Sequence, residues 1–133
     1  MPRDTPYAGV ASIVRSAIAA GREPRVFEDG GQLRDFIHVA DVARANLAAL
    51  ARRGAPAAYN VATGTPRPIL AVAEQLSEAA RMDAPRPLVT GEFRLGDVRH
   101  VFADPGRARE ELGFEATVEL AAGMAEFATA DLR

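Results

Sequence analysis

Lysine is absent. All sixteen basic side chains of this 133-residue chain are arginine, and cysteine is missing as well. Each absence closes off a chemistry. Without lysine there is no Walker-type phosphate loop, no Schiff-base amine and no Tyr-x-x-x-Lys pair. Without cysteine there is no disulfide, no thiol nucleophile and no zinc–thiolate site. No apolar run approaches the roughly 20 residues that span a bilayer. The polar, proline-bearing start from Met1 to Tyr7 does not resemble a secretory signal, so no membrane partner and a cytoplasmic location are expected. A formal net charge of −2 supplies no basic stripe, so no nucleic-acid partner is expected either. Arginine in place of lysine, with abundant alanine, suits GC-rich coding; the chemical exclusion holds whatever the cause.

What is present fits one domain, residues 1–133, long enough to bury a real core. Thr5-Pro6 opens a helix whose apolar face is Tyr7, Val10, Ile13, Val14, Ala17 and Ile18, and Gly21 ends it. Arg25–Glu28 reads as a strand, Asp29-Gly30-Gly31 as a turn and Asp35–Val39 as a second strand. A helix from about Asp41 to Arg52 follows, with Arg52 and Arg53 at the negative end of its dipole. Gly54-Ala55-Pro56 breaks the chain, Ala58–Ala62 reads as a strand and Thr63–Pro66 as a loop. Pro68 opens a helix with Ile69, Val72, Ala73, Leu76 and Ala80 on one face. Leu88-Val89 is a short extended piece, and Phe93 to Ala103 is polar, arginine-bearing and extended or looped. Asp104-Pro105 opens a short helix ended by Gly113 and covered by Phe114. Thr117 caps a last helix striped with Leu120, Met124, Phe127 and Ala128. Alternating strands and helices give an α/β or α+β class.

No strand–Gly-x-Gly-x-x-Gly–helix unit occurs, so no dinucleotide fingerprint is present. His38 and His100 stand far apart, and no metal site is expected from them. What remains is arginine in loops. Arg34 follows a glycine turn, and Arg94, Asp97 and Arg99 fall within six residues. Guanidinium forks match phosphate oxygens, and a carboxylate such as Asp97 can accept from two sugar hydroxyls, so two arginines and one acid suit a nucleoside diphosphate. The plainer alternative is that Arg34–Asp35 and Arg94–Asp97 are surface ion pairs of little consequence.

Four segments carry a resemblance in order and spacing. Gly31-Gln32-Leu33-Arg34-Asp35-Phe36-Ile37-His38-Val39-Ala40-Asp41-Val42-Ala43 resembles the Arg-Asp-aromatic-Ile-His-Val-x-Asp-Val-Ala signature of NAD-dependent nucleotide-sugar epimerases and dehydratases. Tyr59-Asn60-Val61-Ala62-Thr63-Gly64 is similar to their Tyr-Asn strand and loop. Arg94-Leu95-Gly96-Asp97-Val98-Arg99-His100 with Ala103-Asp104, and then Leu112-Gly113-Phe114, are similar to the segments that follow. The resemblance runs from about Tyr7 to Phe127.

It implies a partial extended short-chain dehydrogenase/reductase fold: the C-terminal substrate-binding lobe, with short strands and about five helices, lacking the N-terminal Rossmann core. It implies a UDP- or dTDP-sugar as ligand, Arg34 and Arg94 on the pyrophosphate, Asp97 on the ribose, and Val26-Phe27 lining the base pocket, partly through backbone groups. Asn60 would be structural or near the site, and His38 a packing residue with one hydrogen bond. NAD is implied for the full-length family, but no cofactor, catalytic or metal residue is assigned to this chain. Pro68 departs from the Ser or Thr helix cap common at that position. In the family the elements matching Asp41–Arg52 and Tyr59–Val61 pack on the cofactor domain, so the resemblance implies a catalytically incomplete chain prone to self-association, domain exchange or partial disorder. A separate Rossmann half, a homo-oligomer, or a non-catalytic binding or scaffold module are the alternatives that follow.

Overall fold

A computed structural model describes residues 9–54, 57–81 and 83–131. The expected helix start at Thr5-Pro6, with Tyr7 on its face, lies outside the described residues, as do Ala55 and Pro56. Five helices and four two-residue strands follow in the order α1 (Val10–Ala19), β1 (Arg25–Val26), β2 (Leu33–Arg34), α2 (Val39–Ala51), β3 (Arg67–Pro68), α3 (Ile69–Ala80), β4 (Leu88–Val89), α4 (Gly106–Leu112) and α5 (Leu120–Thr129).

The strands form two pairs rather than one sheet. β1 and β4 run parallel, with Arg25 opposite Leu88 and Val26 opposite Val89. β2 and β3 run antiparallel, with Leu33 opposite Pro68 and Arg34 opposite Arg67. Such short ladders cannot hold a fold alone, and helix packing supplies the core. Val14 and Ile18 of α1, Val72, Ala73 and Leu76 of α3, Met124 of α5 and Val26 of β1 make one cluster. Ala45 of α2, Ala108 of α4 and Phe114 make a second, joined by Ile37, Tyr59, Val61 and Leu112. The chain alternates between them: Phe36 packs on the first and its neighbour Ile37 on the second. Extended backbone sends successive side chains to opposite faces, which is what this segment needs.

Helix ends follow local chemistry in two places. Gly21 takes φ 67, Arg22 N–H donates to Ala17 O and Gly21 N–H to Ile18 O, the paired bonds of a Schellman end. Asp104 Oδ1 accepts from Gly106 N–H at 2.8 Å, and Gly113 at φ 62 closes α4 beneath a buried Phe114.

Several expected elements are corrected. Asp35–His38 is not a strand; pairing stops at Arg34, because the Asp35 carboxylate turns onto the Thr63-Gly64 loop instead. Phe27 and Glu28 leave the strand for the turn, held there by Glu28 N–H donating to Glu92 O. Ala58–Ala62 is not a strand either, since no neighbouring strand among the described residues pairs with it. Thr117 does not cap α5: the N-cap is Glu119 without a side-chain bond, and Thr117 is drawn to Asp41. Arg52 sits at the C-cap of α2 as expected, and its guanidinium reaches Glu111 at 2.9 Å.

One face of α2 is bare. Val39, Leu47 and Leu50 are 75%, 66% and 82% exposed. Among the described residues no helix is long and apolar enough to cross a membrane.

Candidate functional site: an arginine-bearing loop against a glycine turn

Three arginines from two distant stretches converge beside the 27–31 turn. The turn is tightly built. Gly30 takes φ 74, and a Cβ there would stand 2.7 Å from Leu70 Cβ, so only glycine fits. Asp29 Oδ1 accepts from Gly31 N–H at 2.8 Å, and Gln32 Nε2 donates to Phe27 O at 3.0 Å.

Arg34 does not pair with Asp35. Its Nη1 donates to Leu33 O at 2.8 Å and Arg99 O at 2.9 Å, and its Nη2 to Val98 O at 2.8 Å. Those three bonds lash the 98–101 stretch alongside β2, reinforced by Val101 N–H donating to Leu33 O. A guanidinium has five N–H donors, so two remain for a ligand. Arg94 does not pair with Asp97. Its guanidinium carbon lies 5.4 Å from the centre of the Phe27 ring, a cation–π contact. Asp97 N–H donates to Arg94 O in the intervening turn. Of the five residues expected to bind substrate, Arg34, Arg94, Asp97 and Phe27 are thus brought together. Val26 is 1% exposed, packs into the core, and gives its carbonyl to Thr90 N–H.

Neither spacing nor resemblance assigns Arg99 a role. Arg99 donates from Nη1 to Glu28 Oε2 and from Nη2 to Asp29 Oδ2, each at 2.7 Å. The Arg99 hydrogen bond, then the Gly31 amide, hold the Asp29 carboxyl down at a pKa of about 2. His100 Nδ1 accepts from Leu33 N–H at 3.3 Å.

The remaining motif residues do structural work. Asp35 accepts from Thr63 N–H, Thr63 Oγ1 and Gly64 N–H. Asn60 Nδ2 donates to Asp104 O at 3.1 Å. His38 does more than pack: it caps α2 by accepting from Ala40 N–H at 3.2 Å, and its Nε2 lies 3.4 Å from Glu126 Oε2. Asp41, fully buried, accepts from Arg44, Thr117 and Val118. Burial works to raise its pKa, but the bonds from Arg44, Val118 and Thr117 outweigh it and the value falls below the usual range. Tyr59 donates to Glu111 Oε2 at 2.7 Å, with Arg52 and Arg107 over its ring. Apart from the His38–Ala40 and Arg44–Asp41 contacts, none of these was legible from spacing, because the partners lie tens of residues away.

Asp35 and Asp41 stand three residues either side of His38, yet both carboxylates are turned onto amide groups. Among the described residues no group of three His, Asp or Glu is placed to hold a metal. The residues do not fit a dinucleotide: no described strand leads through a glycine-rich turn into a helix, and the sequence has no lysine. A cavity of about 440 Å³ between α1, the 36–39 segment and α5 is mostly apolar and includes none of the three arginines.

A model of the NAD dependent epimerase/dehydratase family matches residues 2–62. The UDP-glucose 4-epimerase of Mycolicibacterium smegmatis is 36% identical over 94% of this chain and 40% of its own length. The dTDP-L-rhamnose 4-epimerase of Burkholderia thailandensis is 34% identical over 92% of this chain and 34% of its own. Among solved structures, the Thermotoga maritima UDP-glucose 4-epimerase with UDP-glucose superposes with a TM-score of 0.81 at 34% identity, over 96% of this chain and 41% of that one. The Methanobrevibacter ruminantium UDP-N-acetylglucosamine 4-epimerase, in complex with UDP-N-acetylmuramic acid, gives 0.83 at 29% identity, over 96% and 40%. The chain spans about two-fifths or less of the length of these relatives.

Proposed function

Since the chain belongs to the NAD dependent epimerase/dehydratase family, as a part of its extended short-chain dehydrogenase/reductase fold, we propose that it forms the C-terminal, nucleotide-sugar-binding lobe of such an enzyme and is catalytically incomplete by itself. The observation that carries this reading is the convergence of Arg34, Arg94, Asp97 and Phe27 from stretches some 65 residues apart. Two of the similar structures were solved with UDP-sugars, which agrees with that chemistry. In this reading Phe27 and the backbone beside it line the base pocket. Arg94 and the two remaining N–H groups of Arg34 meet the diphosphate. Asp97, whose carboxylate has no partner among the described residues, accepts from the ribose hydroxyls. Arg34 has a second duty: it must hold the loop carbonyls while it contacts ligand.

Calorimetric titration with UDP, UDP-glucose and a dTDP-sugar tests the reading. One charge-assisted bond is worth about tenfold or more in affinity, so Arg94→Ala is expected to weaken UDP by at least that factor. Absence of UDP binding at millimolar concentration, or binding that Arg94→Ala leaves untouched, overturns it.

A second reading is favoured by the bare row of Val39, Leu47 and Leu50 on α2. Exposed apolar rows of this kind mark covered surfaces, and the cover is a separate NAD-binding body or a second copy of this chain. Light scattering behind size exclusion decides: a monomer stable to concentration, both alone and with such a body, removes this reading.

A further inference from the structure

The 27–31 turn and the 92–101 stretch meet through the Arg94–Phe27 contact, the Glu28 N–H bond to Glu92 O and the ion pairs of Arg99. Arg99 grips both carboxylates of the turn, Glu28 and Asp29, while its own carbonyl accepts from Arg34 Nη1. The guanidinium passes close over Gly31, where a Cβ would stand 3.2 Å from Nη2. Asp29 is held from both sides, Oδ2 by Arg99 and Oδ1 by the Gly31 amide. Glu28 sits at φ 51, in left-handed backbone that a non-glycine residue adopts at a cost and keeps only when its surroundings impose it. Its imposed partners are Arg99 at the side chain and Glu92 O at the amide.

We propose that Arg99 is a positioning residue of the nucleotide site: it pins the Glu28-Asp29 turn to the 94–101 stretch and so sets where Phe27 stands relative to Arg94 and Asp97. The proposal rests on the nucleotide-sugar reading given above. Arg99 acts through the turn rather than on ligand because the two carboxylates it holds neutralise the charge a diphosphate would seek. Its removal does two things at once. The turn loses its ion-paired tie to the loop, and two uncompensated carboxylates are left beside the place where a diphosphate would lie, where like charge repels it. The three side chains are part-exposed, at 47%, 28% and 63%, so the pairs add little to global stability and the effect is local.

The test is a double-mutant cycle on UDP affinity with Arg99→Ala, Asp29→Asn and the pair together, beside Arg94→Ala and Arg99→Lys. Arg99→Ala is expected to weaken UDP about tenfold, the size of a typical coupling between contacting residues. The double variant loses no more than Arg99→Ala alone, and Arg99→Lys, which reaches one carboxylate at a time, recovers part of the loss. Melting temperatures stay within about 3 °C of the parent, since part-exposed ion pairs contribute little. If the losses of Arg99→Ala and Asp29→Asn add, Arg99 touches ligand directly and the positioning role is overturned. It is also overturned if Arg99→Ala binds UDP normally while Arg94→Ala does not, an outcome that leaves the nucleotide reading intact. If the parent chain takes no UDP, the nucleotide reading fails and the positioning role goes with it.

Discussion

Replacing Asp41 with asparagine should loosen the joint between α2 and the approach to α5. Asp41 is 0% exposed. Its Oδ2 accepts from Thr117 N–H and Val118 N–H, each at 3.1 Å, and its Oδ1 from the Thr117 hydroxyl at 3.3 Å and from the Arg44 guanidinium. Asparagine has nearly the same shape but one acceptor oxygen and an NH2. With its oxygen toward the backbone amides, the NH2 faces the Thr117 hydroxyl, which can turn to accept, and the guanidinium, which cannot. The reverse orientation strands two part-buried amides. The better orientation therefore forfeits one charge-assisted bond, about 1.5–3 kcal/mol. For a domain of this size that lowers the melting temperature by about 5–10 °C. Alanine, which removes every acceptor, should cost more.

The pH dependence gives a second check. The folded pKa of Asp41 lies below its ordinary 3.8. A carboxyl depressed on folding stabilises the protein fully above its unfolded pKa, and that share is lost as pH falls through the folded value. The gap between parent and Asp41→Asn should thus hold constant above about pH 5 and close in more acid solution. Thermal melts by circular dichroism at neutral and acid pH measure both quantities. Equal melting curves at neutral pH, or a gap that widens on acidification, would refute the argument.

Gly30→Ala should destabilise by at least about 2 kcal/mol, the left-handed penalty plus displacement of Leu70; Gly113→Ala, where a Cβ meets nothing within 4 Å, should lose only the backbone part. Urea titration of the two side by side separates them, and equal losses would argue against the close contact at Leu70. The Arg99–Asp29 contact should persist down to acid pH, because Asp29 titrates at about 2; its share of stability is present above the unfolded carboxyl value and lost as pH falls through about 2. Carboxyl chemical shifts over pH 1–6 follow this, and an Asp29 midpoint near 4 contradicts it. Leu47→Glu with Leu50→Glu should lower the apparent mass of any assembly seen by light scattering, whereas an unchanged assembly points to a different contact surface.

Local signals in the sequence located what local chemistry decides. Gly21 and the Gly113-Phe114 close stand where the spacing puts them, because helix ends are settled within one turn; at the start of α4 the N-cap is Pro105 rather than Asp104, whose carboxylate accepts from Gly106 N–H. The Leu88-Val89 piece is likewise extended. The errors fall where a side chain is claimed from afar. Thr117 precedes α5 like a cap but answers to Asp41, 76 residues back. Asp35 begins what alternation reads as a strand, yet its carboxylate serves Thr63 and Gly64. The arginine set was visible as composition in loops, and the resemblance gave it order. Its partners were not visible: the ion pairs Arg34–Asp35 and Arg94–Asp97 suggested by adjacency do not form, and carbonyls and an aromatic ring take their places.

The short run from Asp35 to His38 carries a consequence for how this chain can vary. Phe36 and Ile37 are neighbours that feed different clusters, with Asp35 tied to one loop and His38 capping α2. Side-chain type there is open to exchange within limits of volume, but length is not. Deleting or inserting one residue would reverse the facing of the run, delivering an aromatic ring to the α2–α4 cluster and pulling the cap off its helix. Homologous chains should therefore differ in spelling across these four positions and agree in their number.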